Sequence, residues 1–399
     1  MPHSTIITMH AMTMTPTKYL GVTEPELIAT GAIWTAREIE QQPQLLQQTH
    51  ALVARLHAEI QAFAAPLINN PAARVILTGA GSSSYIGQCV APLLDRQLAA
   101  RVDAVPTTDI VCAPHLYLDP QQPLLLVSFG RSGNSPESLA AVELAESLVH
   151  EVRHLVVICN AAGALGSVPV AEAMTLLMPA ETHDAGFAMT SSFSCMMYAV
   201  VAALLPAGTM DGRIGAIADA TERVIGESLP LLHALALGQY DRVVYLGSGA
   251  LQGLAREASL KLGELTNGAV ATCFDSPLGF RHGPKTFITG RTLVMVFVSN
   301  DELTRRYDLD LVDELRRDGC AARIVEVSAQ PRAASGADGI AVPAMADAVD
   351  LDLLWPYVAI AQIHAFLRAR AMGVDPDNPN PAGVVNRVVQ GVRLYVSNA

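Results

Sequence analysis

Residues 124–148, LLLVSFGRSGNSPESLAAVELAESL, hold the clearest chemical signal in this 399-residue chain. An apolar run ends at Phe129 and a helical pattern begins near Pro136, with GRSGNS between them. Gly130 and Gly133 permit a tight turn lined by backbone N–H groups. Ser132 and Ser135 add hydroxyl donors where the following helix presents its positive end, and Arg131 and Asn134 share the loop. Such a nest suits a phosphate. Gly81, Ser82 and Ser83, in RVILTGAGSSS, follow another apolar run whose carboxyl end should lie beside the first, so both loops converge on one anion. Turns and helix caps use the same residue types for purely structural ends, but the full GRSGNS pattern favours the anion. A dinucleotide reading fails on spacing, because Ser84 and Gln252 stand where the third glycine of G-x-G-x-x-G belongs. No nicotinamide or flavin cofactor is expected. The later segment VFVSNDELTRR lacks the glycine-serine pattern, so one phosphate per chain is expected.

Candidates for proton transfer lie downstream. In AREASLKLGEL, Arg256, Glu257, Lys261 and Glu264 recur at spacings of three or four, which puts Glu257, Lys261 and Glu264 near one helix face. Taken alone, that face reads first as solvated charge. Beside a bound phosphorylated molecule, a carboxylate there could move a carbon-bound proton if a neighbouring carbonyl or imine stabilised the resulting enediol or enamine. His282 sits in GFRHGPK, where Gly279, Gly283 and Pro284 restrict the backbone, and imidazole both accepts and donates protons near neutrality. A lone loop histidine is more often structural or solvent-exposed. His183 lies between Glu181 and Asp184, but adjacent loop residues seldom complete a coordination shell and no helical H-x-x-x-H pair supports one. Substrate contact or packing is expected of it, and no metal.

These residues need a scaffold. Apolar runs recur between helical stretches: RVILT, VDAVP, LLLVSF, HLVVIC and MTLLM, then, after a polar region near 207–240, RVVYL, VATCF, TLVMVFV, ARIVEV and GIAVP. Continuous apolar strands alternating with helices indicate parallel sheets covered on both faces. The expected class is α/β, two doubly wound domains of five parallel strands each. The glycine turns RVILTGAGSSS and RVVYLGSGALQ open the two halves and suggest a duplication. The expected divisions are residues 1–44 (an arm, with a short helix over 34–42), 45–210, 211–372, and a tail, 373–399, that lies across a site.

Composition narrows the partners. Twenty-six Lys and Arg against 38 Asp and Glu give a formal charge of -12, which opposes binding to nucleic acid or an anionic membrane. Any anion site must rely on local N–H groups and helix ends. Six scattered cysteines without a C-x-x-C pair suggest a reducing, cytoplasmic setting, and the N-terminus lacks the pattern of a signal peptide. The apolar segments around 187–205 and 351–367 are interrupted by polar residues and read as buried helices rather than spans.

SFGRSGNS, the two glycine turns and the segment from ELTNG through FRHGP resemble sugar isomerase (SIS) domains over nearly the whole chain. More narrowly, PAETHDAGFAMTSSFS, LGSGALQGLAREASLKLGELT, FDSPLGFRHGPK and VNRVVQGV resemble bacterial AgaS-type proteins of galactosamine and N-acetylgalactosamine use. The resemblance implies a tandem SIS fold with Ser83, Ser132 and Ser135 at phosphate-binding positions. It implies Glu264 as the carboxylate that shuttles a proton between C1 and C2, and His282 as the ring-opening histidine. His183, Thr190, Ser191 and Lys261 join the expected substrate contacts. In the related synthase the histidine comes from the neighbouring subunit, which implies a homodimer or higher homo-oligomer. Those synthases also carry a tail lysine that forms a Schiff base with the substrate. Here the stretch is NRVVQGV, so amine transfer through a covalent imine is not expected, and Arg387 becomes a candidate contact for phosphate or hydroxyls. The expected activity is conversion of galactosamine 6-phosphate to tagatose 6-phosphate and ammonia. The alternatives are plain ketose/aldose isomerisation of a hexose 6-phosphate, or a phosphosugar-binding regulator.

Overall fold

A computed structural model describes residues 17–332, 338–389 and 391–395. The first 16 residues of the expected arm, and positions 390 and 396–399 of the tail, lie outside them. The chain enters through a short hairpin, β1 (Lys18–Tyr19) and β2 (Val22–Thr23), then α1 (Glu24–Ala29), α2 (Ile33–Glu40) and the long α3 (Gln42–Ile68). The expected division after residue 44 therefore falls within α3. The first half continues as β3 (Arg74–Thr78), α4 (Ser82–Asp95), β4 (Arg101–Ala104), α5 (Thr107–Cys112), β5 (Leu124–Gly130), α6 (Pro136–Leu148), β6 (Val152–Ile158) and β7 (Ala173–Leu177). Three helices follow: α7 (Ser191–Leu204), α8 (Ile214–Glu227) and α9 (Leu229–Leu237). The second half runs β8 (Arg242–Gly247), α10 (Ala250–Leu265), β9 (Ala271–Asp275), α11 (Pro277–Phe280), β10 (Thr292–Phe297), α12 (Glu302–Asp318), β11 (Arg323–Ser328), β12 (Gly339–Ala341) and α13 (Asp350–Ala371).

Both sheets are five-stranded and parallel, in the orders β4-β3-β5-β6-β7 and β12-β11-β10-β8-β9. Numbered within its own half, each sheet follows the order 2-1-3-4-5, so the repeat seen in the glycine turns extends to topology. This order reverses direction between its first and third strands, where doubly wound sheets open a crevice at their carboxyl edge. In the first half that crevice lies between β3 and β5, whose following turns are GAGSSS and GRSGNS.

The central strands are buried on both faces; β5 is sealed from Leu124 to Phe129. Every residue of α7 is buried, as is nearly all of α13, so the two expected apolar helices form the middle of the molecule. Trp355 of α13 donates its indole N–H to the carbonyl of Ser194 at 3.0 Å, satisfying the one polar atom of a fully enclosed ring. Helix α3 is long and apolar enough by composition to cross a membrane. Here it packs on α7 and α8 through a stripe including Leu45, Leu46, Val53 and Ile60, and turns Gln44, Gln47, Arg55 and Glu59 outward. The two halves meet where α4 packs against α10. A Cβ on Gly253 would lie 2.7 Å from the backbone N of Cys89, so only glycine permits this approach.

Candidate active site

Each turn at the crevice has a glycine in the left-handed region: Gly81 at φ 58° before α4, and Gly133 at φ 66° before α6. A side chain at Gly133 would also crowd the Cα of Gly163 at 3.0 Å, so the loop is shaped from both sides. Pro136 opens α6 with no N–H to lose. The Ser135 hydroxyl donates to Glu137 at 2.8 Å rather than capping the helix.

Between these turns lies a cavity of about 230 Å³. Its walls include Gly81, Ser82, Ser83, Gly130, Arg131, Ser132, Gly133 and Ser135 from the first half, Lys261 and Glu264 from α10, and Val385–Val389 of the tail, including Arg387. Eleven of the expected site residues thus share one cavity. It holds a cradle of N–H and hydroxyl groups on one side and a carboxylate beside an ammonium on the other. A larger groove of about 470 Å³ lies between α4 and α10 at Gln88, Arg256 and Phe274, but it is lined by none of the expected residues. Its polar groups already have partners: Asp95 accepts from the Val102 N–H, Asp103 pairs with Arg74 and Arg101, and Arg256 stacks on Tyr85 and Phe274 while bonding Gln88.

The charged face of α10 is buried, not solvated. Lys261 is 1% exposed and Glu257 fully enclosed, while the Glu264 side chain keeps 26% exposure at the cavity. The Lys261 Nζ lies 2.5 Å from Glu264 Oε2 and 3.5 Å from Glu257 Oε1. Burial works against the ammonium, yet the two carboxylates outweigh it and Lys261 holds its proton above the usual lysine range. Glu257 is pushed up to about 7, chiefly by burial, with Glu264 adding repulsion and Lys261 opposing.

Arg131 belongs to the GRSGNS loop but turns its guanidinium onto three backbone carbonyls: Gly186 at 3.2 Å, Phe187 at 2.8 Å and Arg387 at 3.0 Å. Arg387 in turn donates to the carbonyl of Asp184. One cation thereby ties loop, segment 184–187 and tail together around the cavity. Burial, then the nearby Arg387, lowers Arg131 to about 10, so it stays charged at neutral pH.

Five expected residues do not line the cavity. Asn134 accepts from the Ala164 N–H at 2.9 Å and shapes the loop from outside. Thr190 and Ser191 serve the start of α7: buried Asp184 accepts from the Thr190 and Ser192 N–H groups at 2.8 and 2.9 Å and from the Ser191 hydroxyl at 2.5 Å. The Thr190 hydroxyl itself is buried without a hydrogen-bond partner among the described residues. His183 is half-buried, and burial, then Arg387 and Arg131, hold its imidazole below the usual histidine range. His282 is exposed beyond α11. Among the described residues, no three His, Cys, Asp or Glu side chains gather in a metal-holding group.

Structure adds residues the sequence did not single out. Glu38 of α2, 4% exposed, accepts from the N–H groups of Ala185 and Gly186 at 2.5 and 3.1 Å. Burial and the nearby Asp184 push its carboxyl up to about 8. With Asp184 and Arg131 it clamps the segment that sets Phe187 and Met189 into the cavity wall. No local pattern marks Glu38, because its partners lie more than 140 residues away.

A family model described as SIS domain matches residues 68–206, the span holding both glycine-serine turns. The chain is 44% identical over 375 residues, 93% of its length and 97% of the relative's, to the D-galactosamine-6-phosphate deaminase AgaS of Escherichia coli O157:H7. It is 43% identical over 378 residues to the protein of that name from Shewanella sp. (strain ANA-3), covering 93% of this chain and 94% of that one. The crystal structure of tagatose-6-phosphate ketose/aldose isomerase from Escherichia coli superposes with a TM-score of 0.85 at 41% identity, covering 96% of this chain and all of the other. With the duplicated 2-1-3-4-5 sheets and the glycine-serine cradle, these likenesses agree: the chain belongs to the AgaS family of sugar isomerase (SIS) domain proteins.

Proposed function

We propose that this protein is a deaminating isomerase that converts D-galactosamine 6-phosphate and water to D-tagatose 6-phosphate and ammonia in cytoplasmic amino-sugar catabolism, including that of N-acetylgalactosamine. The observation that carries this reading is one cavity with the Ser83, Ser132 and Ser135 cradle on one wall and Glu264 beside Lys261 on the other. Phosphate in the cradle anchors the sugar. Glu264 takes the C2 proton from the open-chain aldehyde as the carbonyl oxygen gains a proton, giving an enaminol; the same carboxyl returns the proton to C1. The product is a 2-imine. Water adds to C2, ammonia leaves, and the ketose remains, with no external oxidant or reductant in the balance. The Lys261 ammonium supports negative charge developing on oxygen and, held charged, is a poor candidate for a covalent imine. His282 assists ring opening in the cavity of a second copy, which makes the working unit a homodimer; its exposure outside its own chain's cavity supports this.

A second reading, ketose/aldose isomerisation without loss of nitrogen, is favoured by the name of the superposed Escherichia coli structure and uses the same two proton transfers. The purified protein is incubated, in separate reactions, with galactosamine 6-phosphate, glucosamine 6-phosphate and tagatose 6-phosphate. Ammonia and ketose phosphate rising together from the galactosamine sugar support the proposal. Interconversion of ketose and aldose phosphates without any ammonia from either amino sugar supports the alternative.

A further inference from the structure

Glu257 has no place in the chemistry above, yet it is the most enclosed carboxylate beside it. It is 0% exposed, accepts from the Ser82 hydroxyl of α4 at 3.1 Å, and stands one helical turn from Lys261, 3.5 Å away. Its other oxygen has no hydrogen-bond partner among the described residues. Gly253, one turn earlier on α10, brings the α4 backbone close enough for Ser82 to reach it. Ser82 also opens the helix that follows the glycine turn of the cradle. A continuous line therefore runs Ser82, Glu257, Lys261, Glu264, from the anion cradle to the carboxylate facing the cavity.

We propose that Glu257 is a positioning residue for the reaction: held by Ser82, its buried carboxylate keeps Lys261 charged and aimed at Glu264. This rests on the reading of Glu264 as the proton-transferring group. An enclosed carboxylate is disfavoured unless something nearby needs its charge. The groups facing it are Lys261 and Glu264 on its own helix, and Ser82 and the buried thiol of Cys89 on α4; Arg131 of the phosphate loop acts against the Lys261 charge. Without Glu257, Lys261 would keep one carboxylate against burial and Arg131. The ammonium would then lose its proton at lower pH and its fixed direction.

The test is Glu257→Gln in the full chain, with galactosamine 6-phosphate as substrate. Two signals are followed from about pH 6 to about pH 11, to span the lysine range: exchange of the C2 hydrogen with deuterated solvent by NMR, and ammonia release. Expected are a fall in kcat of roughly 10- to 100-fold, a KM within about threefold of wild type, and an alkaline limb of kcat moved down by about one pH unit. A kcat loss with the limb unmoved, or no kcat loss, overturns the proposal. If Glu257→Gln does not fold, Ser82→Ala is read in the same way, with a smaller loss but the same downward movement of the limb, and an unmoved limb again overturns it. Wild-type exchange without ammonia would refute deamination and leave the role of Glu257 measurable; neither exchange nor ammonia would refute both.

Discussion

Replacing Lys261 by methionine keeps an unbranched side chain of nearly the same length and removes its charge, leaving Glu257 and Glu264 facing each other across an apolar gap. With the ammonium 2.5 and 3.5 Å from the two carboxylates, its loss strands one enclosed anion. Removing one partner of a buried ion pair typically costs about 3–5 kcal/mol. The penalty depends on pH. The folded-state value of Glu257 is about 7 against an ordinary 4.5, so the native protein binds more protons here than the unfolded chain. The stability associated with this group therefore falls as pH rises through that window. Without Lys261 the value climbs further. Below pH 7 Glu257 is protonated in both proteins and the gap stays small, whereas above pH 7 the gap grows by about 1.4 kcal/mol per pH unit until the variant's raised value is reached. Urea unfolding of both proteins at pH 6, 7 and 8, at one fixed protein concentration, measures the difference. A gap that widens steadily with pH is expected; a constant gap would falsify the electrostatic account and make Lys261 a packing residue only.

Two further outcomes follow from the cavity. Ser132→Ala and Ser135→Ala are expected to raise KM for the sugar phosphate by roughly tenfold each, since a hydrogen bond to a charged group contributes about 1.5–3 kcal/mol; an unchanged KM would remove the phosphate from the GRSGNS loop. Mixing subunits of His282→Ala with subunits of Glu264→Gln should restore activity if the histidine works in the neighbour's cavity, because hybrids then hold one intact site. Activity no higher than either parent would place the histidine in its own chain's site or outside the reaction.

The strands were legible because parallel strands buried on both faces must be apolar throughout, and all ten runs form strands within a residue or two of their expected ends. Helices α7 and α13 were legible for the same reason. The glycine-serine turns could be read because left-handed backbone and a helix start demand particular residue types at fixed offsets. The carboxylates that support the site could not. Glu38, Asp184 and Glu257 resemble any surface acid in sequence, and only the meeting of α2 with segment 184–187, and of α4 with α10, removes them from water. Thr190 and Ser191 lie outside the cavity because buried Asp184 gathers the Thr190 N–H and the Ser191 hydroxyl at the start of α7, a meeting no local pattern marks. Arg131 combines both cases, since its place in the loop suggests an anion contact while its guanidinium holds the carbonyls of Gly186, Phe187 and Arg387.

The central claim is that Glu264 carries the hydrogen from C2 to C1, and the Glu264→Gln variant addresses it most directly. This change removes the base while keeping the shape of the cavity. Supplied with galactosamine 6-phosphate deuterated at C2, wild-type protein should yield ketose phosphate with part of the deuterium at C1 and an equal amount of ammonia. The variant should bind the sugar with similar affinity and form neither product. Turnover by Glu264→Gln within about tenfold of wild type, below the roughly 10²- to 10⁴-fold expected from losing a general base, would contradict the account.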